Sequence, residues 1–244
     1  MSRLYKNIVI LTGAGISAES GLATFRSSNG LWNNHRVEDV ATVEGFQRNP
    51  ALVHDFYNEL KIEIQKAKPN PAHLAITKLQ KEYPGTVSVI TQNVDTLHEK
   101  AGNTNICHIH GQINQAVCLN CGHILETFGD VDTETTCPQC GISDMMKPNI
   151  VFFGENLLGM DKVEQLLQNC DLFISIGTSG VVFPAAAFVQ TAKYHGADTW
   201  EFTLEPTANN YYFDHHIYGP AGQTLPPFVD NLIRESRPEN GLPL

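Results

Sequence analysis

The side chains best suited to chemistry lie in one stretch near the middle of the chain. Gln92, Asn93 and Asp95 directly follow the apolar residues 87–90, and His110 comes shortly afterwards. Amides and a carboxylate can hold a polar ligand, and a histidine titrates near neutral pH, so it can act as a general base. Ligand sites of α/β proteins lie at the carboxyl ends of strands, where these residues would stand. This stretch is the first candidate site, with a simple polar turn as the alternative.

Four cysteines form a second pattern that indicates chemistry, in this case metal binding. They make two C-x2-C pairs separated by 15 residues, Cys118 with Cys121 and Cys137 with Cys140. This spacing is typical of zinc ribbons, in which four thiolates complete a tetrahedron and leave no position for water. We therefore predict one structural zinc ion, with disulfides or redox-active thiols as the alternatives.

A glycine-rich turn follows the first apolar run of the chain, residues 8–11. Gly13 and Gly15, with Ala18 in the third position, fit G-x-G-x-x-[G/A], a turn that lets the backbone approach a pyrophosphate. An ordinary tight turn between a strand and a helix is the alternative. The acidic residue expected about 20 positions later, after a second strand, is missing, so a dinucleotide would bind by a variant of the usual scheme. A second turn of small residues, 177–180, is also suited to phosphate or ribose contacts.

The elements that must position these groups alternate between strands and helices at both ends of the chain. Short continuous apolar runs are typical of strands buried on both faces of a parallel sheet. The predicted strands are 8–11, 87–90, 171–176 and 199–204, and the predicted helices are one capped by Asn49, then 71–80, 184–195 and 227–235. The fold class is therefore α/β, a doubly wound, Rossmann-like parallel sheet with a smaller inserted zinc-ribbon and helical module.

Composition narrows the class of partner. The 244 residues are 42% hydrophobic and carry a formal net charge of −10, which argues against a general nucleic-acid binder. The sequence shows no hydrophobic signal region and no apolar run of the roughly 18 residues that would cross a membrane. We predict a cytoplasmic monomer without nucleic-acid or membrane partners.

Taken together, these motifs resemble the sirtuin family, the NAD-dependent protein-lysine deacylases. The matching segments follow the family's order from about residue 10 to residue 222: 13–17, Phe25–Arg26, 91–95 with 97–98, 110–111, the four cysteines, 153–155 and 177–179. The sequence is most similar to the bacterial CobB-type branch that removes acidic acyl groups, because Thr24 precedes Phe25–Arg26. The predicted division is a discontinuous NAD-binding domain (1–34, 85–111 and 155–244), a helical insertion (35–84), and a zinc-binding module with the peptide-binding strand (112–154).

The resemblance also implies roles for individual residues, with NAD as co-substrate and acyl-lysine proteins or peptides as partners. His110 would be the general base, with Asn93 and Asp95 as further catalytic residues. The NAD contacts would be Gly13, Ala14, Gly15, Ser17, Phe25, Arg26, Trp32, Gln92, Asn93, Val94, Asp95, Gly177, Thr178, Ser179, Thr203, Leu204, Glu205 and Ala221. The substrate contacts would be Tyr57, Leu60, Phe153, Gly154, Glu155 and Val181.

One departure from the branch concerns the acyl group. The acidic-acyl enzymes carry a Tyr-x-x-Arg pair, but here Tyr57 is followed by Leu60 in the arginine's place. A succinyl or malonyl carboxylate would lose a charged hydrogen bond worth about 1.5–3 kcal/mol, and Lys61 lies about 100° further round the helix. We therefore predict a deacetylase that releases nicotinamide and O-acyl-ADP-ribose, with weak desuccinylase activity. The alternatives are a desuccinylase or demalonylase, a protein ADP-ribosyltransferase, a NAD-dependent dehydrogenase and a non-enzymatic binding module.

Overall fold

The computed structural model describes residues 4–24, 31–33 and 35–237. Its strands are β1 (Asn7–Thr12), β2 (Leu31–Trp32), β3 (His35–Arg36), β4 (Thr86–Thr91), β5 (Ile106–His108), β6 (Gly111–Cys118), β7 (Ile124–Glu126), β8 (Met146–Ile150), β9 (Leu172–Ile176), β10 (Asp198–Thr203) and β11 (His215–Tyr218). Its α-helices are α1 (Val37–Val40), α2 (Val43–Arg48), α3 (Pro50–Lys66), α4 (Pro71–Glu82), α5 (Leu97–Ala101), α6 (Met160–Gln168), α7 (Phe188–Tyr194) and α8 (Ala221–Ser236).

Six strands form one parallel sheet, in the order β11-β10-β9-β1-β4-β5. The central strands β1, β4 and β9 are buried along nearly their whole length, as continuous apolar runs predict. Helices α4 and α8 pack on one face of the sheet, and α6 and α7 pack on the other. The predicted doubly wound α/β class is therefore confirmed.

The sheet brings three polar loops together at one edge. Thr12, the last residue of β1, pairs with Thr91 of β4 on one side and with Ile176 of β9 on the other. The chain builds the sheet outward from β1 in both directions, so the loops after these strands flank a topological switch point. Open α/β sheets bind their ligands in the crevice at such a point.

A smaller lobe carries the zinc-ribbon sequence and the first helices. Strands β7, β6 and β8 form an antiparallel sheet, and α3 packs beside it. The shared core contains Val40, Val53, Phe56, Tyr57, Leu60, Ile64, Ile113, Ile150 and Phe152. Helix α3 begins as predicted: the Asn49 side chain accepts from the Leu52 N–H at 3.2 Å, and proline occupies the first turn.

Two predicted helices differ from the structure, and strands β5 and β11 of the large sheet were not among the predicted strands. Helix α8 begins at Ala221 instead of 227 and continues through Pro226 and Pro227. Its apolar face packs on α4, and this tertiary contact outweighs the local helix-breaking tendency of proline. The predicted helix at 184–195 is a short 3₁₀ turn, Ala185–Ala187, followed by α7.

The domain limits remain a prediction, and we propose one refinement to them. The predicted limits place helix α4 in the helical insertion, yet Ala72, Ile76 and Leu79 lie in the core on one face of the large sheet. We therefore group α4 with the Rossmann-like domain. Among the described residues, no helix is both long and apolar enough to cross a membrane.

Candidate functional site

The glycine turn and the second small-residue turn pack directly against each other. The Gly13 N–H donates to the Ile176 carbonyl at 3.0 Å, and the Gly15 N–H donates to the Gly177 carbonyl at 2.9 Å. A Cβ on Gly15 would lie 2.6 Å from the Gly177 Cα. Glycine is thus required at this position because two backbones touch. The element that follows is a 3₁₀ helix, Ala14–Ser20, where a dinucleotide-binding fold has an α-helix.

Asn93, Asp95 and Ser17 form a buried hydrogen-bonded group at the end of β4. The Ser17 hydroxyl donates to Asp95 Oδ2 at 2.8 Å, and Asn93 Nδ2 donates to Ser17 Oγ at 3.2 Å and to the Gly13 carbonyl at 3.1 Å. Asp95 Oδ1 accepts from the Leu97 N–H at 2.9 Å. Because both protons of its amide are engaged, Asn93 is left with Oδ1 as the acceptor to offer a ligand.

His110 lies at the same edge, in the turn between β5 and β6. Its Nδ1 is 2.9 Å from the Gln92 carbonyl oxygen, which can only accept, so Nδ1 carries the proton and Nε2 keeps its lone pair. Burial lowers the pKa of His110 below its ordinary value, and the bond to Gln92 opposes that shift. The next residue, Gly111, has φ +85°, and a side chain there would overlap the Asn149 carbonyl.

His108 is the other histidine of this segment, and both of its ring nitrogens have protein partners. Nε2 is 2.7 Å from Glu99 Oε1, and Nδ1 is 3.4 Å from the Asn93 carbonyl oxygen. A general base needs a nitrogen that can reach the substrate. The geometry therefore favours His110 over His108 for that role.

The residues assigned to the far half of a dinucleotide lie at the ends of β9 and β10. Thr178 Oγ1 is 3.1 Å from Ser175 Oγ, and Thr203 Oγ1 donates to the Glu205 carbonyl at 2.9 Å. Ala221 is the first residue of α8. Ser179, Leu204 and Glu205 are exposed along this edge, whereas Ala14, Val94 and Gly177 are partly buried.

A cavity beneath these turns contains residues that sequence reasoning missed. Gln92 and Thr178 line it together with Asn209 and Phe213. The Asn209 amide donates to the Ala186 carbonyl at 2.8 Å and accepts from the Thr207 hydroxyl at 2.9 Å. These side chains come from a loop without a recognisable motif, so no local signal could have identified them.

The residues assigned to the acyl-lysine substrate fall into two groups. Tyr57 and Leu60 are buried in the core of the small lobe, where the Tyr57 ring stacks on Phe152 at 6.0 Å. Phe153 and Val181 are about half exposed, 50% and 55%. Trp32 contacts the Tyr57 ring edge to face at 6.0 Å.

The Glu155 carboxylate is engaged by groups of the protein itself. It pairs with the buried Lys147 Nζ at 2.7 Å and accepts from the Phe152 N–H at 2.7 Å. Gly154, beside it, has φ +92°. Phe25 and Arg26 lie outside the described residues.

The four predicted zinc ligands converge in space. Their Sγ atoms all lie within 4.8 Å of one another, and the Cys118–Cys140 and Cys121–Cys137 distances are both 3.7 Å. A tetrahedron with Zn–S bonds of about 2.3 Å has edges of about 3.8 Å, so the thiolates fit one zinc ion. Cys107 and Cys170 are buried outside this cluster.

The chain belongs to the Sir2 family, whose model matches residues 13–184. It is 51% identical to the NAD-dependent protein deacylase of Vibrio parahaemolyticus serotype O3:K6 (strain RIMD 2210633), over 94% of this chain and 96% of the relative. It is 49% identical to the NAD-dependent protein deacylase of Escherichia coli (strain K12), over 93% of this chain and 82% of that one. The predicted family is therefore confirmed.

Solved structures show the same fold. A Sir2 homolog in complex with NAD superposes with a TM-score of 0.87 at 34% identity, covering 96% of this chain and 91% of that one. Sir2Af2 bound to a myristoylated histone peptide superposes with a TM-score of 0.73 at 36% identity, covering 94% and 92%. The roles of individual residues remain predictions.

Proposed function

We propose that this chain is an NAD-dependent protein-lysine deacylase that removes acetyl groups in preference to acidic acyl groups. The observation that carries the proposal is the edge of the large sheet that contains the Asn93–Ser17–Asp95 group and His110, whose Nε2 has no hydrogen-bond partner among the described residues. The relatives that are about half identical over nearly the whole chain are NAD-dependent protein deacylases. Relatives solved with acetylated and myristoylated peptides support acyl-lysine peptides as its partners.

Different residues of the crevice would contact different parts of a bound dinucleotide. The paired turns at Gly13–Gly15 and 177–179 would lie against the phosphates and ribose. The N–H groups of Gly13 and Gly15 already donate to the Ile176 and Gly177 carbonyls, so other backbone groups of these turns would make the phosphate contacts. Asn93 Oδ1 is the acceptor that orients a ribose hydroxyl or an amide, held in place by Ser17 and Asp95. NAD, when bound, supplies the ADP-ribose that takes the acyl group and the nicotinamide that leaves.

His110 supplies the base. The Gln92 carbonyl holds the proton on Nδ1, so Nε2 is directed away from the protein partner and can take a proton from a hydroxyl. Because burial lowers the pKa of His110, the ring is neutral at pH 7 and remains a base in mildly acidic solution. Proton transfer of this kind contributes about 10²–10⁴-fold to rate.

The pH dependence of deacylation follows from this assignment. A base with a lowered pKa is neutral above that pKa and is lost as the pH falls through it. We expect the acidic limb of kcat/KM to bend below pH 6.5, the ordinary histidine value. Nicotinamide release from NAD in the presence of an acetyl-lysine peptide, followed between pH 5 and 8, measures this pH dependence.

Glu99→Gln is the matched control for the pH profile. It removes the carboxylate partner of His108 and leaves His110 untouched. The acidic limb should therefore keep its position in this variant. An acidic limb of kcat/KM above pH 6.5, or an acidic limb that shifts in Glu99→Gln, would contradict the assignment of His110 as the general base.

The preference for a neutral acyl group rests on the surroundings of Leu60. The Tyr57 hydroxyl is buried and has no hydrogen-bond partner among the described residues, so a polar atom of a bound acyl group, such as its carbonyl oxygen, could satisfy it. Two lysines could replace the missing arginine, but both are engaged: Lys61 Nζ donates to the Gly129 carbonyl at 2.7 Å, and Lys147 pairs with Glu155.

Leu60→Arg is expected to raise kcat/KM for a succinyl-lysine peptide, relative to acetyl-lysine, by about 10- to 100-fold. The reason is a new charged hydrogen bond to the acyl carboxylate, worth about 1.5–3 kcal/mol. Both rates are measured as NAD-dependent peptide deacylation. Leu60→Met keeps the apolar volume without the charge, so its succinyl-to-acetyl ratio should match the wild type. A wild-type preference for succinyl-lysine, or an unchanged ratio in Leu60→Arg, would refute the acyl assignment.

Nicotinamide release with a panel of acyl-lysine peptides tests the proposed function itself. A deacylase releases nicotinamide only with the acyl peptide present and transfers the acyl group to ADP-ribose. Labelled NAD separates the alternative, because an ADP-ribosyltransferase would leave the label on protein. We also propose that the enzyme acts as a monomer, which sedimentation would test.

A further inference from the structure

Lys147 is a buried lysine that has no part in the chemistry proposed above. It lies in β8, and its side chain is only 7% exposed. Burying an ammonium group is unfavourable unless hydrogen-bond acceptors and an opposite charge replace the lost water. The partners of Lys147 therefore indicate which part of the structure this charge stabilises.

The Lys147 ammonium group binds the segment that directly follows β8. Nζ donates to Glu155 Oε2 and Oε1, at 2.7 and 2.8 Å, and to the Ile150 carbonyl at 3.1 Å. It also lies 3.9 Å from the centroid of the Phe152 ring, within the range of a cation–π interaction. These contacts all fall within residues 150–155.

The Glu155 carboxylate closes a tight turn, residues 152–155. Its Oε2 accepts from the Phe152 N–H at 2.7 Å, and the Glu155 N–H donates to the Phe152 carbonyl at 3.0 Å. Together with the two bonds from Lys147, three of the roughly four lone-pair sites of the carboxylate are used. Glu155 is therefore held mainly by its own chain.

The part of this turn that a substrate would meet is main chain. The Phe153 N–H donates to the Ala41 carbonyl at 2.9 Å, so this side of the turn is already paired. Beside Gly154 there is space, because a Cβ built there would meet no atom of the described residues within 4 Å. A peptide that adds a strand binds main-chain groups, and it binds more tightly when those groups are ordered beforehand.

The zinc-ribbon segment holds Lys147 in place. Lys147 pairs with Val117 of β6 in the antiparallel sheet, and the preceding residue, Met146, is buried in the core that contains the cysteines. Phe152, beside the ion pair, packs in the core of α3 and stacks on Tyr57. The ion pair therefore joins the turn to two packed cores.

We propose that Lys147 is a positioning residue whose ion pair with Glu155 holds the 152–155 turn in the conformation that receives the backbone of the acyl-lysine peptide. Lys147 does not touch the peptide, and Glu155 anchors the turn instead of pairing with basic side chains of the substrate. This inference rests on the proposed function, because the ligand of the turn is the acyl-lysine peptide. The anchored turn itself is a property of the folded chain.

The first experiment measures the turn without turnover. Hydrogen exchange of the Phe152 and Glu155 amides, followed by NMR without NAD or peptide, should be about tenfold faster in Lys147→Met than in the wild type, the effect of one lost hydrogen bond. The amides of β1 should keep their slow exchange, which shows that the large sheet is intact. Unchanged exchange at Phe152 and Glu155 would overturn the proposal, whether or not the chain is a deacylase.

The second experiment separates peptide binding from chemistry. In Lys147→Met the KM for an acetyl-lysine peptide should rise roughly tenfold, while kcat and the KM for NAD stay near their wild-type values. Lys147→Arg, which keeps a charged donor, should show a smaller rise. A fall in kcat with an unchanged peptide KM would overturn the proposal.

The third experiment distinguishes an anchor from a reader of peptide charge. Two acetyl-lysine peptides of equal length are compared, one with flanking arginines and one with flanking alanines. Lys147→Met and Glu155→Gln should raise the KM of both peptides, and the double variant should raise it no more than the larger single one, because the pair acts as a unit. If Glu155 instead bound basic side chains, Lys147→Met would free its carboxylate and lower the KM of the arginine peptide. That result would overturn the proposal.

Lys193→Met is the matched control. Lys193 in α7 also donates to one carboxylate, Asp214 at 2.6 Å, and to one carbonyl, Tyr212 at 3.0 Å. Its loss should leave the exchange of residues 152–155 and the peptide KM at their wild-type values, and an equal rise in KM would overturn the proposal. If Lys147→Met does not fold, the double variant Lys147→Met/Glu155→Gln, which removes both charges, replaces it. Fast exchange with a raised peptide KM in that variant supports the anchor, and wild-type values refute it.

Discussion

Replacement of His110 by glutamine is expected to lower kcat for deacylation by about 10²- to 10⁴-fold, the contribution of a general base. Glutamine can still donate to the Gln92 carbonyl, but it offers no nitrogen lone pair in place of Nε2. The KM for NAD should change little, because the ring takes a proton and does not anchor the dinucleotide. Steady-state deacylation of an acetyl-lysine peptide measures both quantities.

The control for this variant is the neighbouring histidine. His108→Gln changes the same residue type two positions away, where both ring nitrogens are already occupied by Glu99 and the Asn93 carbonyl. Its kcat should fall far less than that of His110→Gln. Equal losses in the two variants would show that the segment has been disturbed and that neither ring is the base.

Removal of the metal is expected to unfold the zinc-ribbon part of the small lobe, residues 111–150, and to abolish activity. The core around the cysteines is small, with Ala116, Val131 and Met146 as its other buried members. Structural zinc contributes an apparent binding free energy of about 10–16 kcal/mol, which such a core cannot replace. Cys137→Ser removes a ligand that is 0% exposed. We expect loss of the single zinc in elemental analysis and rapid amide exchange across 111–150.

Unfolding of this segment should abolish activity for two physical reasons. Strand β6 begins at Gly111, directly after His110, so unfolding it releases the base. Helix α3, which carries Tyr57 and Leu60, is also held by the zinc-ribbon segment: Asn58 Nδ2 donates to the Val131 carbonyl at 3.0 Å, and Lys61 donates to the Gly129 carbonyl. The predicted acyl contacts on α3, Tyr57 and Leu60, would therefore be displaced as well.

Cys107→Ser is the matched control for zinc removal. Cys107 is also buried, at 8% exposed, but it lies outside the metal cluster. This variant should keep one zinc per chain and the slow exchange of the small lobe. Full activity and slow exchange in zinc-free Cys137→Ser would show that the lobe folds without metal and would refute the structural role.

The sequence alone was sufficient to predict those features that depend on residues close together in the chain. Buried strands appear as continuous apolar runs, Asn49 and Pro50 begin a helix by capping chemistry, and the cysteine spacing matches two metal-binding knuckles. Each depends on residues that are neighbours in the chain, so pattern and structure agree. The motifs also identified the family, because their order along the chain is more specific than any one of them.

Other features of the site depend on contacts between residues that are far apart in the chain. The sequence around Gly15 is typical of a phosphate-binding turn. In the structure, glycine is required at this position because the Gly177 backbone leaves no room for a side chain. Glu155 belongs to a predicted substrate motif, yet its carboxylate is paired with Lys147. Local periodicity carries no information on contacts of this kind, because they join residues far apart in the chain.

Sequence and tertiary structure thus determined different parts of this protein. The sequence alone predicted four of the six strands of the large sheet (β1, β4, β9 and β10), the cysteine cluster and the set of polar residues at the strand ends. Only the tertiary structure decided which nitrogen of His110 lacks a partner among the described residues, and that both ring nitrogens of His108 are occupied. The physical reason is that a side chain's donors and acceptors are assigned by its partners, and these partners meet only when the chain is folded.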